Sequence, residues 1–136
     1  MGKTLFELAK QAQPDYPHQI ILAKVDGKLH ELKDTEIENE KVEYITTAAA
    51  VGNETYRRSV VLLMLHAIYQ TAPEHSIDRV TIEYSISKGL YCSLKADFQV
   101  TEEFLARVKT KMQEIVAADI PITKRMIQTS EAVKLF

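Results

Sequence analysis

Two adjacent cations, Arg57 and Arg58, stand near the head of the most apolar stretch of this sequence, residues 55–72. A guanidinium fork grips phosphate or carboxylate through two parallel hydrogen bonds, so an arginine pair favours an anionic ligand such as a phosphate or a nucleotide. Three residues further along the chain could form the other wall of such a site: Tyr84, Lys88 and Tyr91. Two cations at the start of a helix oppose its dipole, a cost that Glu54, Glu83 or an anionic ligand would offset. Of these, a structural ion pair with a glutamate is the preferred interpretation.

The histidines and the cysteine are not arranged in the sequence as a catalytic or metal-binding site. The four histidines are scattered, with no two at ligand spacing, and Cys92 has no companion cysteine or histidine at such spacing. We therefore predict no metal site and no catalytic residue, and we interpret His66 as a partly buried, hydrogen-bonded helix residue. The segment 2–4 (GKT) looks like the end of a phosphate-binding loop, but the first glycine of that motif is missing and no strand precedes it.

Composition limits the class of protein. The 136 residues suffice for one domain or two small ones, and 46% of them are hydrophobic, enough for a packed core. The net charge of −2 argues against a broad basic surface for nucleic acid. A single cysteine excludes an internal disulfide, and the apolar stretch is too short to span a bilayer, so we predict a cytoplasmic protein with no membrane partner.

The elements that must position these residues follow from periodicity and turn signals. Thr4 and Glu7 form a capping box ahead of a short helix, and Asp26-Gly27 is a strong hairpin signal. We predict helices at 4–12, 55–72, 101–118 and 131–136, and strands at 20–25, 28–32, 42–46, 79–86, 90–94 and 122–127. The small, turn-rich segment 48–53 (AAAVGN) is a candidate linker between two α+β units.

Several segments resemble a known pair of modules. The stretches GKTLFELAKQAQ, IILAKVDGKLHEL and KVEYITT resemble most of a TGS domain, a β-grasp module at the front of threonyl-tRNA synthetases, without its opening hairpin. The remainder, from TYRRSVVLLMLHAIYQ to EAVKLF, is similar to the editing-type domain that follows it. The resemblance implies an incomplete TGS-like β-grasp unit at 1–47, a linker at 48–53, and an editing-like unit at 54–136 with helices packed on an antiparallel sheet.

Within this group, YRRS, GLYCSL and EAVKLF look like bacterial uridine kinase-like proteins, in which a P-loop kinase domain follows the two modules. That resemblance implies a non-catalytic accessory region, ligand-sensing or regulatory, of an ATP-dependent uridine or nucleoside kinase, a transferase. The partner would be the C-terminal kinase domain, which would bring ATP and Mg; this chain itself would need no cofactor.

The editing-type domain carries a His-x-x-x-His pair on this helix, and the pattern maps onto Arg58 and Leu62. Arginine has no lone pair to offer and leucine no polar atom, so the resemblance implies that hydrolytic editing is lost. Two alternatives are a tRNA-contacting N-terminal fragment of a threonyl-tRNA synthetase-like protein and a metal-dependent hydrolase. The net negative charge makes tRNA an unlikely partner. Separately, an exposed sheet edge in the first unit predicts a homo-oligomer.

Overall fold

The computed structural model describes residues 2–33, 36–37 and 40–135. It divides the chain into two compact units, Met1–Leu65 and His66–Phe136. The strand pairs of the described residues are antiparallel, and helices accompany them in both units, which confirms the predicted α+β class. The division into a TGS-like and an editing-like domain stays a prediction. No helix within the described ranges is long and apolar enough to cross a membrane.

The first unit contains a three-stranded and a two-stranded sheet. The elements of this unit are β1 (Lys3–Thr4), α1 (Leu5–Ala12), a 3-10 turn (Gln13–Asp15), β2 (Ile20–Val25), β3 (Lys28–Glu31), β4 (Glu36–Ile37), β5 (Val42–Thr46) and most of α2 (Ala50–Thr71). The three-stranded sheet has the order β3-β2-β5, and β1 pairs with β4. Pairing between β1 and β4 joins segments far apart in the sequence, and neither of these two-residue strands was predicted.

Local signals fix the ends of these elements. The Thr4 side chain accepts a hydrogen bond from the Glu7 backbone N–H at 3.2 Å, and Glu7 accepts one from the Thr4 N–H at 3.0 Å, so the predicted capping box is confirmed. Asp26 and Gly27 have φ of 48° and 82°, the left-handed pair that a two-residue hairpin requires. The predicted hairpin and the predicted strand 42–46 are thereby confirmed.

The core of the first unit forms where α1 lies on the sheet. Its buried cluster consists of Leu5, Ala23, Val25 and Ile37, with Leu8, Leu32, Val42 and Tyr44 packed against it. Tyr44 also meets the ring of Tyr16 edge-on at a centroid distance of 5.9 Å. Burial, and secondarily the neighbouring Tyr16, raises the pKa of the Tyr44 phenol above its ordinary value.

The start of α2 corrects two predictions. The helix begins at Ala50, rather than at residue 55, so residues 50–53 of the predicted linker are helical. Gly52 is buried, and a Cβ at this position would collide with the carbonyl carbon and oxygen of Thr46 and approach Ile45 Cγ2 at 3.3 Å. The absence of a side chain at Gly52 therefore lets the first turn of α2 lie directly against the end of β5.

The second unit contains the end of α2 and a long β-ribbon. Its other elements are β6 (Ile77–Ile86), β7 (Gly89–Ala96), α3 (Glu102–Ala117) and α4 (Thr129–Leu135). Thr101 caps α3 by accepting from the Phe104 N–H at 3.2 Å, as predicted. Buried side chains of this unit are Ala67, Ile68, Phe104 and Val108, and Phe98 packs on Phe104 at a centroid distance of 4.9 Å.

The predicted strand at 122–127 is wrong. Residues 120–128, all described, have no regular secondary structure and are exposed. The β-branched residues of this segment have strand propensity, but a strand also needs a neighbour to supply its ladder hydrogen bonds. The last helix begins at Thr129, one position before the predicted cap at Ser130.

Candidate ligand-binding site

Helix α2 carries Arg57 and Arg58 on its exposed surface. Because the helix begins at Ala50, the two arginines lie two turns inside it and not at its first turn. The helix dipole acts within the terminal turns, so it does not disfavour cations here. The predicted dipole cost, which Glu54, Glu83 or an anionic ligand would have offset, is therefore wrong, because the helix starts earlier than expected.

Arg58 has a partner on its own helix. Its Nη2 lies 3.8 Å from Oε2 of Glu54, one turn earlier, and the two side chains are 81% and 69% exposed. This confirms the predicted ion pair with Glu54. A long, solvent-exposed pair of this kind contributes little stability, so the guanidinium stays able to bind a second anion.

A cavity of about 460 Å³ in the first unit brings Arg58 beside the β2–β3 hairpin. We call it the Arg58 cavity; its lining is Leu22, Leu29, His30, Glu31, Thr55, Arg58, Ser59 and Leu62. Three leucines give it an apolar wall, and the other side chains are polar or charged. A mixed lining and a volume in this range are typical of small-molecule sites.

The helix hydroxyls restrict what the Arg58 cavity can bind. Thr55 Oγ1 donates to the Val51 carbonyl at 2.9 Å, and Ser59 Oγ donates to the Thr55 carbonyl at 3.0 Å. Because each hydroxyl already donates its proton to a helix carbonyl, Thr55 Oγ1 and Ser59 Oγ can only accept hydrogen bonds from a ligand. Arg58, by contrast, can only donate. The geometry suits a ligand that presents an anionic or carbonyl oxygen beside an N–H or O–H group.

Sequence reasoning found Arg58 but missed Thr55 and Ser59. The signal was present, because positions 55, 58, 59 and 62 recur at helical spacing and share one face. It was overlooked because hydroxyls within a helix usually serve their own backbone, as these two also do.

In the second unit, Tyr84 and Tyr91 are cross-strand partners on the β6–β7 ribbon. Their rings stack at a centroid distance of 5.1 Å with 17° between planes, and they are 58% and 47% exposed. Lys88 lies in the adjacent turn and is exposed. The structure thus brings together three of the five predicted ligand residues, with aromatic surface beside a cation. Arg57 and Arg58 belong to the first unit, and a joint site of all five stays a prediction.

An ion pair marks the opposite end of the ribbon. Lys95 Nζ lies 2.7 Å from Oδ2 of Asp78. The hydrogen bond from Lys95, and then its charge, hold the pKa of the Asp78 carboxyl below its ordinary value, and the same bond raises the pKa of Lys95. Both side chains are exposed, so this pair contributes little stability and forms no site.

We also searched the described residues for side chains that could bind a metal ion. The described residues contain no group of three or more histidine, cysteine, aspartate or glutamate side chains able to hold a metal ion. His66 is exposed on α2, which corrects its prediction as a partly buried residue. Cys92 is half-buried opposite Ile82 on the ribbon, and Ser93 donates to Glu83 Oε1 at 2.7 Å.

Comparison with known proteins gives one consistent result. The chain is 32% identical over 135 residues to the threonine–tRNA ligase of Pelobacter propionicus, a match covering 99% of this chain and 21% of the relative. It is 30% identical over 135 residues to that of a Geobacter species and 29% over 133 residues to that of Hahella chejuensis, with 21% and 20% of these relatives covered. No protein-family model matches the chain.

The chain is similar to threonine–tRNA ligases. It spans about one fifth of the length of the relatives it matches. This finding contradicts the predicted uridine kinase-like parent, its kinase and transferase activity, and a P-loop kinase domain as partner. It also contradicts the prediction that tRNA is an unlikely partner, because all of these relatives are named for action on tRNA. That prediction used the net charge of −2, which does not describe how charge is distributed over the surface.

Proposed function

We propose that this chain is a tRNA-contacting, non-catalytic region of a threonine–tRNA ligase-like protein, with a TGS-like unit followed by an editing-like unit. One observation carries the proposal: the similarity to threonine–tRNA ligases extends over 99% of the chain. The α+β architecture with antiparallel sheets agrees with that pair of modules. A cytoplasmic location belongs to the same proposal.

The proposed contacts divide by chemistry. Arg57 and Arg58 are exposed on α2 and have the fork geometry for phosphate oxygens. Tyr84 and Tyr91 offer exposed ring surface on which an unpaired base can stack, and Lys88 beside them suits a phosphate. In this proposal the five residues act as binding residues, and none of them transfers a proton or forms a covalent bond.

The proposal also includes the loss of hydrolysis. Arg58 and Leu62 occupy the positions at which the editing-type domain carries its histidine pair, and both line the Arg58 cavity. Neither side chain can ligate a metal or activate water by removing its proton. A bound aminoacyl ester would therefore stay intact at these two positions.

A tRNA-binding titration at several salt concentrations tests the proposal. We expect binding at low salt that weakens as salt rises, because each phosphate contact releases counterions. Replacing Arg58 with Ala should weaken binding and reduce the slope of log K against log[salt] by about one. Lys109→Ala is the matched control, since Lys109 is an exposed helical cation outside the proposed contacts.

Two results would contradict the proposal. If the wild-type chain binds no tRNA at low salt, tRNA is not its partner. If Arg58→Ala and Lys109→Ala weaken tRNA binding equally, the binding depends on net charge and not on a contact at Arg58. A separate assay incubates the chain with a mischarged aminoacyl-tRNA, which should decay no faster than in buffer. Accelerated release of the amino acid would show a hydrolytic site that our assignment of Arg58 and Leu62 excludes.

A further inference from the structure

A second cavity in the first unit lies beside α1. This α1 groove has a volume of about 420 Å³ and lies between α1, the turn that follows it, and the chain at the start of β2 and the end of β3. Its lining is Phe6, Ala9, Lys10, Gln13, Pro14, Gln19, Ile20 and Leu32. The groove shares no residue with the Arg58 cavity, and the proposed function does not use it.

The floor and one wall of the α1 groove are apolar. Ala9 and Ile20 form buried floor residues with only 4% and 2% exposure. Phe6 stands above them at 49% exposure, an aromatic ring in contact with solvent. An apolar group placed in the groove would cover part of this ring and gain the free energy of removing it from water.

Gln13 makes the groove a preformed structure. Its amide donates to the carbonyls of His18 at 3.0 Å and Tyr16 at 3.4 Å, and its Oε1 accepts from the Ile20 N–H at 2.8 Å. These three bonds hold the loop before β2 against the end of α1. They also use both donors of the amide, so Gln13 has little capacity left for a ligand.

Lys10 is the one charged side chain among the lining residues. It is exposed, lies one helical turn after Phe6, and makes no ion pair with any residue in the described part of the chain. A single ammonium beside an apolar floor matches a ligand with one negative charge and an apolar body. A dianionic phosphate would need several donors, which this lining does not supply.

We propose that the α1 groove binds a small monocarboxylate with an apolar body. The carboxylate would accept from Lys10 Nζ, and the apolar part would lie over Ala9 and Ile20 against the Phe6 ring. The site is distinct from the tRNA contacts and would respond to a small metabolite rather than to nucleic acid.

Backbone amide NMR of the whole chain tests this with octanoate as the probe and octanamide as its uncharged counterpart. We expect octanoate to shift the resonances of Phe6, Lys10, Gln13 and Ile20 in a saturable manner. Lys10→Met should weaken octanoate binding about tenfold and leave octanamide binding unchanged, because only the charged hydrogen bond is lost. Lys28→Met is the control, an exposed lysine of the same unit outside the groove.

The alternatives give different results. Equal binding of octanoate and octanamide, or equal weakening by Lys10→Met and Lys28→Met, would overturn the carboxylate assignment. Absence of shifts at millimolar octanoate would overturn the site. Concentration-dependent shifts at the same residues without probe would show that a second copy of the chain covers the groove, and this too would refute the proposal. None of these outcomes depends on whether the chain binds tRNA.

Discussion

The close approach of Gly52 to β5 leads to a sharp prediction about stability. A Cβ built on Gly52 would lie inside the van der Waals radius of the Thr46 carbonyl, and both of the nearest atoms belong to backbone. Backbone cannot rotate away as a flexible side chain can. Gly52→Ala must therefore displace either the first turn of α2 or the end of β5.

The magnitude follows from two opposed effects. Overpacking of this kind costs about 1–3 kcal/mol, and a collision with fixed backbone belongs at the upper end of that range. Alanine recovers about 1 kcal/mol because it is a better helix former than glycine. We expect a net loss of about 2 kcal/mol in the free energy of unfolding, with a fall of roughly 15 °C in the melting temperature if the first unit unfolds as a small domain.

Gly89→Ala supplies the matched control. A Cβ at Gly89 would meet only the Ile86 carbonyl oxygen, at an ordinary 3.6 Å, and the position is exposed. Its effect should stay within about 0.5 kcal/mol, as for other surface substitutions. Urea unfolding followed by circular dichroism compares the two variants with the wild type. If Gly52→Ala were as stable as Gly89→Ala, α2 would not start against the Thr46 carbonyl and our reasoning on the linker would fail.

Three further substitutions test local features. Thr4→Ala should lower stability by about 1 kcal/mol through loss of the α1 cap, while Thr4→Ser, which keeps the acceptor oxygen, should lose much less; equal losses in urea unfolding would exclude the cap as the cause. Lys95→Met should raise the pKa of Asp78 toward its ordinary 3.8, measured by NMR titration of the carboxyl carbon. The stabilisation from that carboxylate is present above its ordinary pKa and fades as pH falls through the lowered one, so an unchanged titration in the variant would refute the pairing. Tyr44 has a raised pKa, so its contribution is fully present below pH 10.0 and is lost as pH rises through the folded value. Tyr44→Phe should therefore show a smaller loss of stability at alkaline pH than the wild type, and identical alkaline profiles would contradict the burial of the phenol.

Features encoded within a few residues could be predicted from the sequence. The caps at Thr4 and Thr101 each join a side chain to a backbone group three residues away, and the Asp26-Gly27 hairpin depends on the backbone conformation of two adjacent residues. Such signals do not need knowledge of tertiary neighbours, and the structure confirms all three.

Features that depend on distant partners could not be predicted in the same way. The segment 48–53 has the composition of a linker, whereas Gly52 is helical and buried, and the Thr46 carbonyl leaves no room there for a side chain. Strands β1 and β4 consist of two residues each and exist because they pair with one another. Residues 122–127 show the converse, since their β-branched side chains favour a strand that no neighbour completes.

The start of α2 also depends on distant partners, and its position determines whether Arg57 and Arg58 lie in the first turn of the helix. A helix starting at residue 55 would put Arg57 and Arg58 at its positive end, where Glu54, Glu83 or a bound anion would offset an unfavourable dipole. The start at Ala50 moves both arginines inward and places Glu54 one turn before Arg58, where it forms the ion pair. The need for an anion disappears, but the capacity to bind one remains, because the pair is long and exposed.

Other residues on the same face of α2 could orient an anion bound by Arg58. Thr55 and Ser59 donate their hydroxyl protons to the helix backbone, so they present oxygens to the cavity while Arg58 presents N–H groups. The face can orient a ligand that has an acceptor and a donor side by side. Neither Arg58 nor Leu62 can take a proton from water, so these two side chains supply hydrogen-bond donors and apolar surface to the cavity but no base. We therefore propose a role in contact rather than in catalysis for this face of α2.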